Sequence, residues 1–156
     1  MINLFDFSVF VGSLFDIIPM IILGIVVSLY LFVKRSKKEA YFFASLLISA
    51  GILIKLLKEL IVKARPLGML IQESGYAFPS GHATIAVVFF CGLAYILSRK
   101  RSKEIKILSF ILAALISIII GFTRVYLRVH DVYDILGGFV LGTIILFSGI
   151  YFFKKL

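Results

Sequence analysis

The two histidines of the chain, His82 and His130, sit among residues that could move a phosphoryl group. His130 is followed four positions later by Asp134, a spacing that makes the two neighbours on a helix face. A carboxylate there can accept the Nδ1–H of the imidazole. That fixes the tautomer and turns Nε2 outward as a nucleophile. Asp131 and Asp134 would equally suit the electrostatics of a helix start. His82 closes the run Pro79-Ser80-Gly81-His82. Ser80 is a good N-cap, Gly81 allows close approach to the backbone, and the free N–H groups of a helix start bind anions. Read alone, His82 serves equally well as a capping or interfacial histidine. Lys58 and Arg65 are seven residues apart, nearly two helical turns, so both project from one face if the helix runs that far before Pro66 ends it. Arg65 can grip phosphate oxygens with two parallel bonds, and Lys58 supplies a point charge. Taken alone, this pair reads as snorkelling cations. Arg124 adds a third cation six residues before His130. No Asp, Glu or His cluster has metal-ligand spacing, so neither metal nor cofactor is expected.

The elements that must position these residues are membrane helices. Of 156 residues, 62% are hydrophobic, well above the usual share in soluble domains, and the mean hydropathy is +1.12. Ile17–Val33, Ala40–Ile54, Ala83–Leu97, Ile107–Thr123 and Ile135–Phe153 carry no Lys, Arg, Asp or Glu. With snorkelling flanks each approaches the roughly 17–25 residues that a span needs. The expected fold is all-α: one domain over residues 1–156, with five transmembrane helices at about 17–34, 40–61, 81–98, 105–124 and 131–153. Residues 1–18 lack a basic leader and contain Asp6 and Asp16, so no cleavable signal is expected. Phe7–Phe15 is too short to span and reads as an interfacial helix. Gly138 and Gly142 form a small-xxx-small spacing suited to close packing within the bundle. Cys91, alone in the chain, can form no internal disulfide.

The net charge of +9 would suggest nucleic acid in a soluble protein. Here the charge sorts by side. Eleven of the 17 basic residues lie in Lys34–Lys38, Arg99–Lys106 and the tail Lys154–Lys155. Five spans put all three segments on one side, which the positive-inside rule makes cytoplasmic. Lys55, Lys58, Lys63, Arg65, Arg124 and Arg128 remain on the other side, level with both histidines. Ionisable residues near a bilayer are costly and by default functional. A cluster of cations and imidazoles there suggests a phosphate site facing outward.

Three segments in order carry a family resemblance: Lys58-x6-Arg65-Pro66, Pro79-Ser80-Gly81-His82 and Thr123-Arg124-x5-His130-x3-Asp134. Over about residues 58–134 the chain resembles the type 2 phosphatidic acid phosphatases, whose fold and site are shared with vanadium haloperoxidases and acid phosphatases. Thr123 stands where the family has Ser. Five spans stand where it usually has six, the missing one being N-terminal.

The resemblance implies a lipid phosphatase without metal or cofactor. His130 would attack phosphorus and Asp134 would hold it. Lys58, Arg65 and Arg124 would stabilise the equatorial oxygens with Ser80 and the Gly81 N–H. His82 would protonate the leaving oxygen and then activate water. Membrane lipids and a lipid phosphate or diphosphate are the expected partners, with no nucleic acid and no obligate protein partner. An outward site and Lys55 favour a polyprenyl diphosphate such as undecaprenyl diphosphate. Phosphatidic acid and phosphatidylglycerophosphate are the alternatives, as is transfer to an alcohol by the same site. Vanadate-dependent halide oxidation fits a small membrane chain poorly, and a non-catalytic phosphate channel would need neither histidine.

Overall fold

The computed structural model describes residues 3–155, so the first two residues and the last of the expected single domain lie outside the described residues. Six helices follow one another: α1 Leu4–Leu14, α2 Ile17–Lys34, α3 Lys37–Ile61, α4 Gly81–Ser98, α5 Lys103–Tyr126 and α6 Val132–Lys155. The uncharged runs become helices because the lipid core offers backbone groups no other partner. Of these, α3, α4, α5 and α6 are each long and apolar enough to cross a membrane. α1 and α2, bent by 54° at their junction, make a fifth span if counted as one. The chain is thus an all-α bundle with four to five candidate spans, against five expected.

α4 is the axis of the bundle. About half of its apolar window is buried (56%), against 22–28% in α3, α5 and α6. Those outer helices instead show Ile107, Ile111, Leu115, Ile118, Phe147 and similar side chains to the surroundings, as lipid-facing helices do. Phe43 and Leu46 of α3, Val88 and Phe89 of α4, and Leu146 and Phe153 of α6 fill the space between them. One π-helical turn, Val87–Cys91, lies within α4.

Two glycines set the distance between α4 and α6. A Cβ on Gly138 would stand 2.7 Å from the Ser80 carbonyl oxygen and 2.8 Å from the Ala83 Cβ. One on Gly142 would stand 2.9 Å from the Thr84 carbonyl oxygen. The small-xxx-small spacing therefore presses α6 against the first turns of α4, where Ser80, Gly81 and His82 lie. Overpacking a tight core costs about 1–3 kcal/mol, and here the displaced atoms belong to the site. Gly138→Val should lower both the melting temperature in detergent and the activity. Gly51→Ala, where a Cβ meets nothing within 4 Å, should change neither. Equal behaviour of the two variants in a melting and activity assay would contradict this packing argument.

The two ends of the bundle differ in charge. Lys34, Arg35, Lys37, Lys38, Arg99, Arg101, Lys103, Lys106, Lys154 and Lys155 gather where α2, α4 and α6 end and where α3 and α5 begin. Glu39, 2% exposed, is held there between Arg35 at 2.8 Å and Arg99 at 2.9 Å. A buried carboxylate without such partners would be strongly destabilising. The opposite end carries the residues singled out for chemistry.

Candidate active site

Four helix ends and one long loop converge here. α3 delivers Lys58 in its last turn and stops at Ile61. Val62 follows at φ 53°, a left-handed conformation that a β-branched side chain rarely adopts. The helix thus ends at residue 61, where the sequence places it, and the condition that it run on to Arg65 is not met. Arg65 arrives on the loop, and the seven-residue spacing does not place it on a helical face with Lys58. The two are nonetheless within electrostatic reach of each other and of Asp134.

Arg65 anchors the loop by its carbonyls. Nη1 donates to Val129 O at 2.8 Å, Nη2 to Ser74 O at 2.9 Å, and Nε is shared between Ser74 O and Gly75 O at 3.3 and 3.2 Å. A guanidinium has five N–H groups, so one on each terminal nitrogen is left for an anion. Glu73 lies 3.7 Å from Nη2 and equally 3.7 Å from Nη1 of Arg124. Its carboxylate bridges two of the three expected phosphate-binding cations. Lys58 gives one ammonium hydrogen to Tyr76 O at 2.6 Å and keeps two.

Arg124, in the last turn of α5, is only 1% exposed. Nη2 donates to Ser8 O at 3.1 Å. Its Nε–H is buried without a hydrogen-bond partner among the described residues, a costly state for a charged donor unless an acceptor arrives. Thr123 turns its hydroxyl back to Ile120 O at 2.8 Å.

α4 opens on the site as the sequence expects. The Ser80 hydroxyl accepts the Ala83 N–H at 3.4 Å, and the Ser80 N–H donates to Asp134 O at 3.0 Å. That second bond ties the start of α4 to the start of α6. Gly81 has open space at its Cβ position apart from Ile54 at 3.8 Å. His82 in the first turn has Nε2 3.3 Å from Gly12 O.

His130 and Asp134 meet, but not along a helix face. α6 begins at Val132, so His130 lies just before it. The pairing comes from a reciprocal cap. The Asp134 N–H donates to Asp131 Oδ1 and the Asp131 N–H to Asp134 Oδ2, both at 3.0 Å. This turn holds Asp134 Oδ2 3.3 Å from His130 Nδ1. Asp134 is fully buried and His130 nearly so. Burial, with Arg65 and Lys58 facing the ring, holds the His130 imidazole well below its ordinary pKa, against the opposing pull of Asp134. In the neutral ring, Asp134 Oδ2 is placed to accept an Nδ1–H, the tautomer that leaves a lone pair on Nε2.

Three contributors were given no role in the site from the sequence. Lys63 reaches Asp131 Oδ2 at 2.5 Å and Asp134 Oδ1 at 2.6 Å. Its place among the outward-side basic residues was the one hint available. Glu73 lies in a loop with no periodicity. α1, expected as an interfacial segment, packs against α5 and supplies the Ser8 and Gly12 carbonyls to Arg124 and His82. A Cβ on Gly12 would stand 1.8 Å from Arg124 Nη2. Gly12→Ala should therefore push the guanidinium aside while leaving the fold intact. Losing one charge-assisted contact to phosphate costs about 10- to 100-fold in kcat/KM. Wild-type kinetics in Gly12→Ala would show that Arg124 needs no fixed position.

Among the described residues no group of three His, Cys, Asp or Glu side chains is placed to hold a metal ion.

The arrangement has known relatives. A crystal structure of a transmembrane PAP2-type phosphatidylglycerolphosphate phosphatase from Bacillus subtilis superposes with a TM-score of 0.88 at 29% identity, covering 98% of this chain and 78% of that one. Phosphatidylglycerophosphatase B of Bacillus subtilis (strain 168) is 42% identical over 100 residues, which are 62% of this chain and 49% of that protein. The chain thus spans about half the length of that relative. Lipid phosphate phosphatase delta of Arabidopsis thaliana is 41% identical over 75 residues, 46% of this chain and 18% of that protein. Residues 39–156 match the PAP2 superfamily, and the chain belongs to that superfamily.

Proposed function

We propose that this chain is an integral membrane phosphatase that removes phosphate from a lipid phosphate through a phosphohistidine on His130. The observation that carries the reading is the buried Asp134–His130 pair, 3.3 Å apart, facing Lys58 and Arg65. In the first step Nε2 of His130 bonds to phosphorus as the bond to the lipid oxygen breaks. His82 gives that oxygen a proton. In the second step water attacks phosphorus, His82 takes its proton, and the P–N bond breaks to release phosphate. Lys58, Arg65, Arg124, Ser80 and the Gly81 N–H stabilise the three equatorial oxygens, work done in other phosphatases by metal ions. Incoming phosphate takes the place of the Glu73 carboxylate between the two arginines.

The substrate we favour is phosphatidylglycerophosphate, because the Bacillus subtilis proteins this chain resembles are named for it. The expectation of a polyprenyl diphosphate has less behind it. Lys55, on which the diphosphate expectation leans, is an exposed side chain. Phosphate release from phosphatidylglycerophosphate, phosphatidic acid and a polyprenyl diphosphate by the purified protein tests both levels. Phosphatidylglycerophosphate should be fastest, with vanadate inhibiting and EDTA without effect. No release from any of the three would refute the activity, and a faster diphosphate would reverse the choice of lipid.

The site is proposed to face outward, since the basic end of the bundle belongs in the cytoplasm. Cys91 is buried and gives little labelling background. A membrane-impermeant thiol reagent should label Gln72→Cys in intact cells and spare Ser102→Cys. The reverse pattern would put the site in the cytoplasm.

A further inference from the structure

The structure assigns Lys63 a role as the positioning residue of the catalytic pair: its ammonium is the fixed counter-charge that holds Asp134 Oδ1 and leaves Oδ2 turned to His130 Nδ1. This rests on the reading of His130 as nucleophile. Lys63 lies within none of the contacts expected for phosphate. Val62 turns the chain out of α3, and the Lys63 carbonyl accepts the Ala77 N–H at 2.8 Å, which fixes its backbone against the segment leading to Ser80. From there Nζ reaches Asp134 Oδ1 at 2.6 Å and Asp131 Oδ2 at 2.5 Å. The two oxygens of Asp134 thus divide their work. Oδ1 faces Lys63, and Oδ2 accepts from the Asp131 N–H and faces His130 Nδ1.

A fully buried carboxylate is tolerated only when paired and hydrogen-bonded. The bonds to Asp131 and Asp134 outweigh burial and raise the Lys63 pKa, so the ammonium stays charged. Other charges around His130 are Lys58 at the end of α3, Arg65 on the loop and Asp134 on α6. From α5, Arg124 offers its carbonyl, 3.4 Å from the His130 N–H, while its guanidinium is turned to Glu73 and Ser8. On α4, His82 is turned to Gly12. Among the described residues Asp134 is thus the one anion in direct contact with the imidazole, and Lys63 balances it.

Without Lys63, the unbalanced carboxylate would favour the doubly protonated form of His130. The added proton sits on Nε2 and removes the nucleophile, and raising the pH restores it. Loss of a positive charge therefore moves the acid limb of the pH profile upward. Loss of the competing anion, Asp131, moves it downward. Asn at 131 still offers Oδ1 to the Asp134 N–H, so the cap survives.

The test is kcat/KM against pH for wild type, Lys63→Gln, Lys63→Arg and Asp131→Asn with one lipid phosphate, so that substrate ionisation is common to all. Lys63→Gln should shift the acid limb up by about one pH unit, with ~10-fold lower activity below the limb and recovery to about wild type above it. Lys63→Arg should keep the wild-type profile, and Asp131→Asn should shift it down. A pH-independent loss in Lys63→Gln, or limbs that do not move, overturns the assignment. If Lys63→Gln does not survive purification, Asp131→Asn decides: a downward shift supports the role and an unmoved limb overturns it. Wild-type phosphate release that persists in His130→Ala would instead sink the underlying reading and leave this one without a subject.

Discussion

His82→Ala should lose about 10²- to 10⁴-fold in kcat on an alkyl phosphate lipid, the usual worth of a general acid. The size of the loss should depend on the leaving group. A lipid alkoxide departs poorly without a proton, whereas p-nitrophenolate departs readily. With p-nitrophenyl phosphate the first step should be partly spared in His82→Ala. Phosphoenzyme should then accumulate, because the proposed second step needs the same imidazole to activate water. His82 stands in the first turn of α4 with Nε2 3.3 Å from the Gly12 carbonyl, so α1 holds the ring until a leaving oxygen replaces that acceptor. A burst of nitrophenol in rapid mixing measures the first step directly. Equal losses with both substrates would remove His82 from proton transfer to the leaving group.

Asp134→Asn should be as damaging, by about 10³- to 10⁴-fold in kcat, the range seen when a histidine loses its orienting carboxylate. The reason lies in what surrounds the side chain. Lys63 Nζ, the Asp131 N–H and His130 Nδ1–H all present hydrogens to Asp134. A carboxylate can accept all three, but an amide has one oxygen and two hydrogens of its own. Asn at 134 must therefore set its NH₂ against Lys63 or against His130. In the second case the imidazole flips its proton to Nε2 and the nucleophilic lone pair is gone. Steady-state assays on protein that elutes as a single species in detergent would measure the effect. A rate within tenfold of wild type would show that Asp134 does not set the tautomer.

Much of this was legible in the residues, for identifiable reasons. Lipid forces uncharged runs of this length into helices, so α2 to α6 announce themselves in composition. His130 and Asp134 were read as neighbours on a helix. They are neighbours, but through the Asp131–Asp134 cap just before α6. The end of α3 at Ile61 was legible, but the left-handed turn that follows was not, because nothing in Ile61-Val62-Lys63 marks one at a β-branched residue. That turn carries Lys63 to Asp134. The Ser8 and Gly12 carbonyls were equally hidden, since any residue could supply them and only the approach of α1 gives them a role. Glu73 gained its place from the course of the loop between Arg65 and Ser80, which side-chain spacing does not encode.

The central claim is a phosphorus–nitrogen bond on His130. The most direct measurement is rapid-quench trapping with lipid carrying labelled phosphate, followed by alkaline digestion that preserves phosphohistidine and by peptide mapping. Wild-type protein should carry label on the peptide containing His130 at early times, and His82→Ala should carry more of it for longer. His130→Ala should carry none and turn over no substrate. Label on His82 in the His130→Ala protein, with turnover retained, would reverse the roles of the two histidines. Turnover in His130→Ala with no label on any histidine would contradict the phosphohistidine mechanism itself.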